Sequence, residues 1–199
     1  MPKKVDHQAR RTLIADALMR VAAASGLEAV SLRHVAAEAG VTSGMVQHYF
    51  ATKDEMMSFA LAVIRERNEA RVTRAVGALS QPLTPHALVR TILVELLPLD
   101  EQRRADGRVA LAFLAYTAVR PAAAARMRED TDQMVTFIAD QIRAAQATAS
   151  APAALNPEHA AAGLLAAMEG LGVYLLGGQY DAQTAVSALD DHLSLIFTG

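Results

Sequence analysis

The chain has 199 residues, of which 52% are hydrophobic and 20% charged, with a formal net charge of -2; that balance supports a packed core and excludes a disordered polymer. It contains no cysteine, which removes disulfides, thiolate metal sites and cysteine nucleophiles and fits a reducing compartment. The basic start MPKKVDHQARR has no cleavage pattern behind it, and Asp16 interrupts the apolar residues that follow, so a cytoplasmic rather than secreted protein is expected.

Apolar residues recur at helical spacing almost throughout, so the chain is expected to be all-α, with about nine helices. The first runs from about Gln8 to Ser25, with Leu13, Ile14, Ala17, Leu18 and Val21 on one stripe and Gly26 as a left-handed stop. Ser31 caps a short second helix ending at Gly40, and Thr42 caps a third that runs to Phe50. Thr52 caps a long fourth, with Asp54 and Glu55 in its first turn, where the helix dipole favours acids.

Thr84-Pro85 opens a fifth helix that Pro98 closes, Asp100 opens a sixth that reaches Pro121, and a seventh spans Ala122 to about Ala147. The stretch ATASAPAALNP reads as a loop; Asn156 then opens an eighth helix ending at Gly177-Gly178, and Asp181 opens the ninth. Two domains are expected: residues 1–53, built from three short helices, and residues 54–199, a larger bundle. The apolar runs Val109–Val119 and Ala160–Met168 are bounded by charges and too short to span a bilayer, so no membrane partner is expected.

Charge is distributed unevenly. Residues 1–53 hold seven basic side chains (Lys3, Lys4, Arg10, Arg11, Arg20, Arg33, Lys53) against four acids (Asp6, Asp16, Glu28, Glu38), and the remainder is acidic. A polyanion is therefore expected to meet only the head.

Residues 40–50, GVTSGMVQHYF, contain no acid, and the short connection around Ala39-Gly40-Val41 suits a helix-turn-helix. That motif needs a small residue where its helices cross, a glycine where the turn takes positive φ, and apolar residues that lock the second helix down. Ala36, Gly40 and Val46 meet these demands in order, with Val35, Ala39, Val41 and Tyr49 in support. If Val46 and Phe50 point inward, Ser43, Gly44, Met45, Gln47 and His48 face outward toward a DNA groove. Gln47 can pair with adenine, Ser43 can reach a base or phosphate, Met45 can press on a thymine methyl, and Gly44 permits close approach. Thr42 and the helix amides can hold a phosphate, flanked by Tyr49 and Lys53. Ser31 and Arg33 at the start of the second helix, with Arg10 and Arg11 in the first, complete the expected DNA-contacting set.

At these residues the chain resembles the TetR family of one-component transcriptional regulators. The likeness runs from the stripe of the first helix through SLRHVAAEAGVTSGMVQHYF to ATKDEM. Gln47 departs from it, because many members place a tyrosine there. The later LLPLDEQRRADGRVALAFLAYTAV resembles the carboxy-terminal domain of BetI-like members. The resemblance implies a homodimer, a palindromic double-stranded DNA operator, and repression relieved by a small-molecule effector bound in the larger domain.

Phe59, Phe113, Tyr116, Met127, Met134, Phe137, Glu169 and Tyr174 are candidate pocket residues, with plain core packing as the alternative. Glu169 could balance a cationic ligand, or face water or a second subunit. Leu164, Leu165, Met168, Leu171 and Leu175, with Val186, Leu189, Leu193 and Ile196, form apolar stripes on the last two helices; both the chain's own core and a two-fold dimer interface are expected to use them. Neither H-E-x-x-H nor E-x-x-H spacing occurs, so no metal site and no cofactor are expected. Asp190, Asp191 and His192 are consecutive on a helix, point apart and read as solvated surface. Two rival readings are a helical-bundle enzyme or small-molecule binder without specific DNA recognition, and a nonspecific architectural DNA protein.

Overall fold

A computed structural model describes residues 7–26, 29–117 and 121–198, with side chains left undescribed at 121–124 and 126. Lys3, Lys4, Asp6 and Glu28, part of the head's charge balance, lie outside the described residues. The described residues form α1 (His7–Ser25), α2 (Leu32–Ala39), α3 (Ser43–Tyr49), α4 (Lys53–Gly77), α5 (Pro85–Leu96), α6 (Glu101–Thr117), α7 (Pro121–Ala147), α8 (Pro157–Leu176) and α9 (Ala182–Ile196), with no strand among them.

Most helix starts are set by side chains that satisfy the otherwise unpaired first-turn amides. Ser31, Thr42, Thr52 and Thr84 accept from the amides of His34, Met45, Glu55 and Ala87. Asp100, Asn156 and Asp181 do the same for Arg103, His159 and Thr184 at 2.7–2.8 Å. Those bonded amides hold the Asp100 and Asp181 carboxyls below the ordinary range, since they favour the charged form. The described part of α6 ends at Thr117, and the rest of its expected course to Pro121 lies outside the described residues.

The chain forms two compact units, and both α4 and α6 contribute to each: the first unit runs to Arg67 and includes Arg104–Tyr116, and the second comprises Asn68–Arg103 and Thr117 onward. In the first, α1 buries Ile14, Ala15, Ala17, Leu18, Met19 and Ala22. Leu13 departs from the expected stripe and is 37% exposed, because the buried arc is centred on Ile14 and Leu18 and leaves it at the margin. The first half of α4 adds Met56, Met57, Ala60, Val63 and Ile64 to the first unit's core. Arg67 lies 2.5 Å from Asp16 on α1 and 3.3 Å from Asp106 on α6, where Asp106 is only 4% exposed. A buried carboxylate needs such a partner. Further along α6, the Tyr116 hydroxyl donates to Asp54 in the first turn of α4. Two polar ties thus attach α6 to the first unit, a role its sequence does not announce.

In the second unit, α5, α7, α8 and α9 share one aliphatic core around Val89, Leu93, Ile138, Ile142, Leu164 and Leu189. Leu164, Leu165, Met168, Leu171, Leu175, Leu189, Leu193 and Ile196 are all buried within the single chain, and Val186 is half-buried against the same core. A surface consumed inside one chain cannot also face a second, so the expected interface stripes are core. Asp190 also differs from a solvated residue: Arg90 donates to its two oxygens at 2.7 and 2.9 Å, tying α5 to α9. By length and composition, α8 is apolar enough to cross a membrane. The single charge of Glu169, which bounds the apolar run ending at Met168, does not interrupt the helix.

Candidate nucleic-acid interface

The α2–α3 connection follows from its residues. Gly40 takes φ +65°, and its amide donates back to the Ala36 and Ala37 carbonyls. An L side chain is strained there, although a Cβ would meet nothing within 4 Å, so glycine is required by the backbone and not by space. The Val41 amide then reaches the Ala36 carbonyl at 2.9 Å, and the Thr42 hydroxyl starts α3 by accepting from Met45. Val46 is the sole buried residue of α3, fully enclosed, and Phe50 behind it is equally buried.

That anchoring leaves Ser43, Gly44, Met45, Gln47 and His48 exposed together, with Tyr49 half-buried beside them. At Gly44 an added Cβ would approach only the Thr42 hydroxyl, at an ordinary 3.9 Å, and φ is not positive. The fold itself does not demand glycine there, whereas a surface pressed against a nucleic acid would.

Of the other candidates, Arg10 and Arg33 are exposed, while Thr42 and Ser31 act as helix caps and Lys53 is half-buried at the start of α4. Arg11 is turned inward: its guanidinium lies 4.7 Å from the Phe50 ring centre and 4.4 Å from that of Phe59, and it pairs with Glu55 at 3.2 Å. Arg20 is held at 2.5 Å by Glu38. Nearby acids are engaged in the same way. Glu55 also accepts from the Ala51 amide, and Asp54 accepts from Tyr116, so both carboxylates in the first turn of α4 have intramolecular partners.

One neighbour escaped sequence reasoning. His7, at the start of α1, packs its ring 4.7 Å from that of Tyr49, which also meets the His48 ring edge-on at 5.2 Å. The signal, a lone histidine before a helix, has no periodicity that could have pointed to α3.

The expected pocket residues do not assemble as one group within either unit. Phe59 packs on Phe50, and Phe113 stacks on Tyr116 at 6.0 Å, all in the first unit. Met127 receives a hydrogen bond from Thr117, and Met134 and Phe137 pack on the second unit's core. Tyr174 is 48% exposed, paired with Tyr180, and Glu169 is exposed on the same helix. An open groove of about 700 Å³ lies along α7 between Ala125 and Asp140, and Phe137 is the one expected residue in it.

Known proteins match this arrangement. A model of bacterial regulatory proteins of the tetR family matches residues 14–58, and one of the BetI-type transcriptional repressor carboxy-terminal domain matches residues 85–198. The chain belongs to the TetR family of transcriptional regulators. A solved transcriptional regulator from Rhodococcus sp. Rha1 is 33% identical to this regulator, with a TM-score of 0.81 and 94% of this chain and 95% of that one covered. The HTH-type transcriptional regulator PksA of Bacillus subtilis is 38% identical over 58% of this chain, a stretch that spans 55% of PksA. A solved regulator from Saccharomonospora viridis in complex with choline shares the fold, with a TM-score of 0.82 at 20% identity, and 96% of this chain and 98% of that one are covered. The family match at 14–58 takes in α2, the Gly40 turn and α3.

Proposed function

We propose that this regulator is a homodimeric repressor that places α3 of each protomer in the major groove of one half of a palindromic operator and is released by a small molecule. The observation that carries this is the acid-free outward face of α3, anchored by Val46 alone. Gln47 reads a base through paired hydrogen bonds, with Ser43 and Met45 beside it. Thr42, Tyr49, Lys53, Arg10 and Arg33 contact the phosphate backbone, and His48 borders the groove. Arg11 and Ser31 support the head from within, one by packing on Phe50 and Phe59 and the other as a cap.

Self-pairing is favoured by what α8 and α9 leave uncovered: Val173, Tyr174 and Leu195 are 44%, 48% and 75% exposed. Large apolar side chains left exposed on helices that otherwise bury theirs are suited to being covered by a partner. A two-fold pair sets the half-site spacing near one helical turn of DNA, roughly 34 to 36 Å. α4 carries both the turn beside α3 and residues of the second unit, so an effector that shifts this helix changes head spacing, and DNA opposes that effector to the same degree. Choline belongs to the Saccharomonospora viridis protein; from it we take only that this fold admits a small molecule. The test is selection from a random pool of duplex DNA at near-physiological salt. An inverted repeat is the expected product; no enrichment by folded protein contradicts the reading.

A further inference from the structure

From Ala160 to Tyr180 the chain holds one side chain that is charged at neutral pH, Glu169. α8 gives Ala161, Leu164, Leu165, Met168, Leu171 and Leu175 to the core of its own chain. Ala162, Ala166, Glu169 and Val173 are left as one exposed row, at the four- and three-residue steps of a helix face, with Gly163 and Tyr174 alongside. Small residues in such a row let another helix approach closely. The Glu169 carboxyl therefore stands, in a single chain, on the side of α8 that remains to be covered.

The charges around it are unbalanced. Neither α8 nor α9 contains a lysine or arginine. Their ionisable groups are Glu158 and His159 at the start of α8, Glu169, and Asp190, Asp191 and His192 on α9, with Asp181 as its cap. Glu158 is paired with Arg143 of α7, and Asp190 with Arg90 of α5. α7, which also packs on α8, carries Arg126, Arg128, Glu129, Asp130 and Asp132 in its first half and Asp140 with Arg143 in its second. Loss of water pushes the Glu169 carboxyl above the ordinary carboxylate value. In a two-fold interface identical faces meet. A second copy seated on α8 and α9 therefore brings Glu169 no lysine or arginine from those helices, and His159 and His192 are the cations they could offer near neutrality.

We propose that Glu169 makes self-association proton-dependent: a second copy of this chain covers the row that contains it, and the protonated carboxyl favours the pair. This rests on the self-pairing through α8 and α9 proposed above. Enclosing a carboxylate without a counter-charge raises its proton affinity further. The pair then binds more protons than two separate chains over the window between the separate and enclosed titration points, and self-association strengthens as pH falls through that window.

Sedimentation equilibrium of the full chain, at fixed ionic strength from about pH 7.5 to about pH 5.5, tests this. Self-association of the wild type is expected to tighten by about tenfold or more, the change that one unit of pKa difference supplies. Glu169→Gln is expected to pair as tightly at the upper pH as the wild type does at the lower, with a flat profile, and His159→Asn and His192→Asn each to keep the wild-type profile. Weaker pairing by Glu169→Gln would show that the carboxylate meets a cation and would overturn the proposal. So would a pairing wild type with no pH response, or a response abolished by His159→Asn or His192→Asn alone. A wild type that stays monomeric at every pH and concentration would instead remove the self-pairing on which the proposal stands.

Discussion

α3 and α8 are fixed by opposite means. The seven residues of α3 are set by a capping threonine, a left-handed glycine before it and a single enclosed valine. The twenty residues of α8 are set by six buried side chains spread along one face. Where local chemistry fixes a helix, the outward residues are released from packing and can be assigned to a partner molecule. Where burial fixes it, the sequence shows that a face is apolar but not whose core it enters.

That contrast can be broken at each end. The largest effect is expected from Val46→Asp, which puts a carboxylate in the sole buried position of α3; a cost of about 4 kcal/mol or more, with loss of DNA binding, is expected from urea unfolding and a gel-shift titration. Leu164→Ala empties a site that is 2% exposed and should lower stability by about 3 kcal/mol in the same unfolding experiment. Leu195→Ala, at a side chain 75% exposed, should leave folding unchanged and weaken self-association in sedimentation. If Leu164→Ala instead acted mainly on self-association, the assignment of α8's inner face to its own core would fall. Gly40→Ala, at φ +65°, is expected to cost about 1 to 2 kcal/mol and to weaken DNA binding with no change in preferred sequence. A preference that shifts with this backbone change would place reading residues in the turn.

The legible parts of the fold were those written in local signals. Ser31, Thr42, Thr84, Asn156 and Asp181 each cap the helix assigned to them. The outward set on α3 followed from the placement of Val46, because one anchored residue on a short helix orients all the others. Arg11 was harder to place: a basic residue beside a basic head suggests a phosphate, but its partners Phe50, Phe59 and Glu55 lie far along the chain. His7 against Tyr49 and Arg67 against Asp106 are contacts of the same long-range kind. The apolar stripes of α8 and α9 were recognised as buried, yet periodicity carries no information about which chain does the burying. The row that remained outside is small and mixed, and Glu169 within it gave no apolar signal.

The central claim is that α3 reads sequence while its flanks hold the backbone. Affinities of Gln47→Ala and Lys53→Ala for the selected operator and its single-base variants, across a salt series, test it most directly. Gln47→Ala should lose about 1 to 3 kcal/mol of discrimination at one base pair of each half-site, and Lys53→Ala should weaken every sequence alike, with the salt slope reduced by about one. Equal losses for both variants on every sequence would contradict the account.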